Sequence, residues 1–145
     1  MRGREFVIDT SVVVKWFIPE DYSDIALMLL EKYKNREIIL YAPDSMKIEF
    51  ANVIRKYYVR GAISEAIMSE IMNAMKKIPI GFIALDWNTI IEATKLAIKY
   101  NLTVYDAYYL AIAKKSKIQI ITADEKFYNA VYGKEGILLL KNLRA

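Results

Sequence analysis

Phe6-Val7-Ile8-Asp9-Thr10-Ser11 is the stretch that decides the fold. Three apolar residues run straight into a carboxylate. Two hydroxyls follow, and Val12-Val13-Val14-Lys15-Trp16-Phe17 then turns apolar again. A short apolar run that ends on a polar residue and passes into a second apolar segment reads as a buried strand turning into a helix. The carboxyl end of a strand, beside a helix start, is where open α/β sheets gather their chemistry. A second copy of the pattern stands far along the chain, in Ile120-Ile121-Thr122-Ala123-Asp124.

Between these two stretches strand and helix signals alternate. Strands are expected over residues 5–9, 38–41, 82–85, 118–122 and 137–140. Helices are expected over residues 12–17, ended by Pro19, and over 24–34, capped by Asp21 or Ser23. The next helix covers 45–60 and stops at Gly61, and another opens at Ser64 and reaches about residue 77. Asp86 or Asn88 caps a helix over 89–100, which Asn101 breaks. Thr103 starts one that reaches about residue 115, and Asp124 caps a short one that Gly133 ends. The strand runs are continuously apolar, as in parallel strands covered on both faces. Strands separated by helices imply right-handed crossovers and a three-layer α/β/α sandwich around a mostly parallel five-stranded sheet.

The 145 residues are read as one domain, 1–145, with 55% hydrophobic residues to build its core. No apolar run approaches a membrane span, so the expectation is a cytoplasmic protein with no membrane partner. Without Cys or His, thiolate nucleophiles, imidazole bases and zinc sites built on them are excluded. Catalysis must then use carboxylates, hydroxyls, Lys, Tyr or a hard metal ion. The net charge of +4 leaves a basic surface if several acids share one pocket, which favours a polyanionic partner. A single Gln and abundant Ile, Lys and Glu lean toward a thermophilic source.

Four carboxylates carry the candidate chemistry. Asp9 ends the first strand, and Thr10 or Ser11 beside it would serve equally well as a helix cap. Glu49 lies one turn into the helix over 45–60, at the border of a Met46, Phe50, Val53, Tyr57 stripe. Taken alone it reads as an ordinary boundary Glu, or one paired near Lys56. Asp106 shares the face of Tyr109, Leu110 and Ala113, where an unpaired acid would cost several kcal/mol. A capping box with Thr103 is the local alternative. Asp124 repeats the Asp9 arrangement, with an N-cap as its plain reading. Taken together, two acids end strands on one edge of the sheet and two sit in helices that start near it. Each close pair repels by about 4 kcal/mol at an effective dielectric near 20. Such a cluster persists at neutral pH with a cation or with raised pKa values. Oxygen-only ligands select Mg²⁺ or Mn²⁺, and the site then has the parts for metal-assisted phosphodiester hydrolysis.

Residues 7–11 with Lys15-Trp16, Pro43-Asp44 through Glu49 and Asn52, residues 103–111, and residues 122–127 together resemble the PIN-domain family of ribonucleases. More narrowly they resemble the toxin subunits of VapBC-type toxin–antitoxin pairs. The resemblance implies a sheet of order 3-2-1-4-5 and a Mg²⁺- or Mn²⁺-dependent RNase acting on RNA. It matches Asp9, Glu49, Asp106 and Asp124 to the acidic metal and catalytic positions. It matches Thr10 or Ser11 to the hydroxyl that helps orient the attacking water. Many relatives carry a further acid where this chain has Lys126. Beside the nuclease reading stand a regulatory module whose main role is an antitoxin complex on DNA, and a housekeeping RNA-processing nuclease. A receiver-type phosphorylation domain is disfavoured, since no paired acid precedes Asp9.

The resemblance also implies a small antitoxin partner and a homodimer. Tyr57, Tyr58, Met68, Met72 and Met75 give the paired helices over 45–77 an apolar surface suited to a dimer contact. Of the neighbours Trp16 and Phe17, one is expected to border the acid pocket, partly exposed, as an antitoxin anchor.

Overall fold

The computed structural model describes residues 4–143. Five parallel strands form one sheet of order β3-β2-β1-β4-β5. They are β1 (Glu5–Ile8), β2 (Ile39–Pro43), β3 (Gly81–Ile83), β4 (Gln119–Thr122) and β5 (Ile137–Leu139). Seven helices flank them: α1 (Thr10–Val13), α2 (Ser23–Lys34), α3 (Met46–Val59), α4 (Glu65–Lys76), α5 (Trp87–Tyr100), α6 (Val104–Ser116) and α7 (Glu125–Val131). This is the expected α/β/α sandwich with the expected strand order.

The opening stretch takes the centre. Phe6, Val7 and Ile8 are wholly buried, as are Ile120 and Ile121 on the adjoining β4. Continuous apolar sequence is what a strand covered on both faces requires. Asp9 extends the ladder past β1 by donating its N–H to Ile121 O (3.0 Å). Helix α6 lies across β1, β2 and β4 and buries every residue from Ala107 to Ala113.

The punctuation residues behave as their chemistry dictates. Gly61 stands beyond α3 at φ +77°, where only glycine is unstrained. Gly81 opens β3 against Tyr41, and a Cβ there would sit 2.7 Å from the Tyr41 ring. Ser64, Asp86 and Thr103 cap α4, α5 and α6 by accepting from the N–H groups of Ile67, Thr89 and Asp106.

Several expectations are corrected. The segment over 12–17 is not one helix: α1 starts at Thr10 and tightens into a 3₁₀ turn over Val14–Trp16. Neither Asp21 nor Ser23 caps α2. Tyr22 occupies the cap position at φ 67°, without a side-chain cap bond. The Ser23 hydroxyl instead turns back to the loop, accepting from Glu20 N and donating to Ile18 O. Strand β2 runs on to Pro43. The missing proline N–H falls at the strand's end, and Asp44 donates to Ile83 O in its stead (2.9 Å). In α3 the buried stripe is Met46, Phe50 and Ile54, with Val53 and Tyr57 half-buried beside it.

The aromatic pair divides into one core and one half-buried ring, as expected. Trp16 is core, 8% exposed, and its indole N–H donates to Ala26 O (2.8 Å). Phe17 is the half-buried one and packs edge-to-face on Phe50, centroids 5.6 Å apart. Among the five residues proposed for a dimer face, Met75 is core, Tyr57, Met68 and Met72 pack partly against it, and Tyr58 is exposed.

Trp16 therefore acts on stability. Trp16→Ala should cost about 3–5 kcal/mol in urea unfolding. Trp16→Phe, which keeps an aromatic ring but loses the N–H donor, should cost closer to about 1 kcal/mol.

Candidate active site

The strand-end acids come first. Asp9 directly follows β1 and is buried. It occupies the N-cap position of α1, yet its side chain makes no cap bond. Its Oδ2 instead accepts from the Ser11 hydroxyl (2.6 Å) and the Thr122 hydroxyl (2.9 Å). Burial pushes its pKa up, the two hydroxyl donors offset part of that, and the charges of Glu49 and Asp124 add to the rise. The capping reading thus fails for Asp9. An acid so buried, and held by side chains rather than by the helix start, is set in place for its charge.

Asp124, two residues beyond β4, is exposed and does cap. Its Oδ1 accepts from Lys126 N (2.9 Å) and Phe127 N (3.2 Å) at the start of α7. The other oxygen takes no part in the cap. Cap and functional acid are compatible in this one residue.

Glu49, one turn into α3, faces inward. Its Oε1 accepts from the Thr10 hydroxyl (3.1 Å) and the Tyr109 hydroxyl (3.0 Å). Those two hydroxyls also lie 2.7 Å apart. Its Oε2 is buried without a hydrogen-bond partner. A buried polar atom left so costs at least about 1–3 kcal/mol. Neither the solvent-facing reading of Glu49 nor the pairing with Lys56 holds.

Asp106 is half-buried in the first turn of α6. Thr103 caps the helix by accepting from Asp106 N (3.1 Å), but no N–H donates back to the Asp106 carboxylate. Only half of the capping box exists. Burial, then the charges of Asp9, Asp124 and Glu49, push Asp106 up to about 6. Helices α6 and α3 thus bring their acids within electrostatic reach of the two strand ends.

Two contributors were not anticipated. Thr122 bridges Asp9 Oδ2 and Asp124 N, accepting from the latter at 3.0 Å. A hydroxyl closing an otherwise apolar buried strand was the available signal. Tyr109 was read as part of an apolar face, and its hydroxyl is the informative atom. Burial and the carboxylates of Asp9 and Glu49 drive its pKa far up, so it remains a proton donor. Ser11 joins the strand ends from the other side, accepting from Ala123 N (2.9 Å).

The donor set suits a hard divalent cation: carboxylate oxygens, an orphaned buried Glu49 Oε2, and acids whose mutual repulsion raises their pKa values. Among the described residues no three acids converge into a closed ligand set. A Mg²⁺-like ion held by few carboxylates and several waters fits this openness better than a full protein cage.

A PIN-domain family model matches residues 6–131. The chain is 30% identical over 126 residues to Ribonuclease VapC3 of Pyrobaculum aerophilum, covering 84% of this chain and 91% of the relative. Two of the solved structures that share the fold are toxins or toxin complexes. One is a toxin–antitoxin complex from Klebsiella pneumoniae, with a TM-score of 0.64 and 18% identity, over 93% of this chain and 97% of that one. The other is Mycobacterium tuberculosis VapC20, a sarcin–ricin loop cleaving toxin, with a TM-score of 0.65 and 11% identity, over 89% and 97%.

The raised acids set a pH dependence. Asp106 titrates near 3.8 when unfolded and near 6 when folded, so the folded state binds its proton more tightly. Stability of the metal-free protein should therefore fall as pH rises from about 4 through about 6 and stay lower above. The chain has no His to titrate in that window. Thermal melts without metal should show a higher Tm at pH 5 than at pH 7.5, and Asp106→Asn should reduce that slope. Asp124→Ala should lose about 1 kcal/mol with its cap, whereas Asp124→Asn should retain most of it.

Proposed function

Because this chain belongs to the PIN-domain family, we propose that it is a metal-dependent endoribonuclease, the toxin of a toxin–antitoxin pair. The observation that carries the reading is Glu49 Oε2, buried and unpartnered, on an acid within electrostatic reach of Asp9 and Asp106. The ribonuclease relative over most of the chain supports RNA as the substrate. The α/β/α domain, residues 1–145, is read as a single unit.

Mg²⁺ or Mn²⁺ would be held by Asp9, Asp106, Asp124 and Glu49. Such a cation supplies Lewis acidity at the phosphodiester and makes water a better nucleophile at neutral pH. The protein's own part is preorganisation. Ser11 and Thr122 fix Asp9 through one oxygen, Oδ2, and neither hydroxyl engages Oδ1. The backbone of α7 fixes Asp124 in the same one-sided way. Thr10 and Ser11, the two candidates for orienting water, both direct their hydroxyls at carboxylates: Thr10 at Glu49 and Ser11 at Asp9. We assign both to holding the acids, with any contact to water made through their remaining lone pairs. Tyr105 stands two-thirds exposed immediately before Asp106, beside an apolar groove that Leu85, Ile90 and Val104 also line. An exposed aromatic there suits stacking of an unpaired base.

The likeness to a toxin–antitoxin complex supports a small antitoxin partner. An inhibitor entering an acid pocket should present Arg, whose planar fork pairs carboxylates bidentately. Exposed Tyr58, Val59 and Ile67 on α3 and α4 support a homodimer. Among the described residues no helix is long and apolar enough to cross a membrane.

Cleavage of single-stranded RNA should require Mg²⁺ or Mn²⁺ and stop in EDTA. Asp106→Asn should lower the rate by more than about 100-fold, judged against the 10–100-fold typical of residues that merely support a metal site. Full activity in excess EDTA would overturn the metal reading. Light scattering at micromolar concentration should return a dimer mass, and a monomer mass would remove the proposed α3–α4 contact. Co-expression with the product of the adjacent small gene should suppress cleavage. Failure of any such product to bind would leave a housekeeping nuclease.

A further inference from the structure

Tyr109 is wholly buried on α6, one turn after Asp106. Its neighbours Leu110, Ile112 and Ala113 are apolar, and Phe would fill the same ring space. A buried hydroxyl is retained where it finds partners, and this one finds two from distant parts of the chain. It lies 2.7 Å from Thr10 Oγ1 and 3.0 Å from Glu49 Oε1. Thr10 Oγ1 also stands 3.1 Å from the same Glu49 oxygen, and its single proton serves either Glu49 or the Tyr109 oxygen.

Every hydroxyl contact to the carboxylate thus falls on Oε1, and Oε2 receives none although it is shut off from solvent. A Glu kept only to satisfy two buried hydroxyls gains nothing from an orphaned second oxygen. A Glu held by one oxygen so that the other faces a ligand explains both facts. We propose that Tyr109, acting with Thr10, is a positioning residue that pins Glu49 by Oε1 and thereby presents Oε2 to the divalent cation. The inference rests on the metal-dependent reading given above. It ties α1, α3 and α6 together at one oxygen.

The test is Mn²⁺ binding without substrate, followed by the electron paramagnetic resonance signal of the free ion. The proteins are wild type, Tyr109→Phe, Thr10→Val, the double variant, and Tyr108→Phe as control. Tyr108 is the adjacent buried tyrosine, and its hydroxyl accepts from Asp86 N, away from Glu49. Tyr109→Phe and Thr10→Val should each raise the Mn²⁺ Kd by about 10-fold or more. The double variant should fall short of the product of the two, since both hydroxyls act on one oxygen. Tyr108→Phe should bind Mn²⁺ as wild type does. In cleavage assays the deficit of Tyr109→Phe should shrink as Mn²⁺ approaches saturation. Wild-type affinity in Tyr109→Phe, or an equal loss in Tyr108→Phe, would overturn the proposal while leaving the nuclease reading standing. Wild type that binds no Mn²⁺ would overturn the metal reading and this inference with it. Should Tyr109→Phe fail to fold, Thr10→Val carries the same expectation and the same refutation.

Discussion

The structure depends on confining like charges. Asp9, Glu49, Asp106 and Asp124 meet at one end of a parallel sheet, close enough that three of them raise the pKa of the fourth. Repulsion of this kind opposes folding and is tolerated where a site needs the charge. Each acid is restrained by bonds that leave part of its carboxylate uncommitted: hydroxyls for Asp9 and Glu49, backbone N–H groups for Asp124. Asp106 is held by the Thr103 side chain, and burial with the charges of the other three acids still pushes it up to about 6.

The fold supplies these positions with little irregular chain. A parallel sheet aligns the carboxyl ends of β1 and β4 side by side, so Asp9 and Asp124 become neighbours through strand register. The crossovers then return α3 and α6 to that edge with their first turns nearest it, which is where Glu49 and Asp106 lie. An apolar strand core, with Phe6, Val7, Ile8, Ile120 and Ile121 wholly buried, makes the edge rigid. Rigidity matters because a preorganised charge site loses its advantage when its members wander.

Caps illustrate how local and tertiary roles divide. At the start of α1 the carboxylate abandons the helix and the hydroxyls hold it. At the start of α7 the carboxylate caps and still faces the cluster. At α6 a threonine caps, which frees the aspartate. The same residue types at the same kind of junction have three different partners, and only at α1 does one of them, Thr122, come from another element.

Local chemistry was legible because it depends on nearest neighbours. Continuous apolar runs marked the strands, and Gly61, Ser64, Asp86, Thr103 and Asp124 marked helix ends by the conformations and acceptors they supply. The absence of His and Cys narrowed the chemistry to oxygen. What tertiary structure alone decided was direction. An exposed and a buried Trp16 share one sequence, and packing against α2 made it core. Helical periodicity leaves a side chain about 100° from its neighbour, so the α3 stripe read through Val53 shifted by one residue to Ile54 once the helix packed. Tyr109 read as a core ring because its partners, Thr10 and Glu49, lie 99 and 60 residues away, and a hydrogen bond of that range leaves no periodic trace.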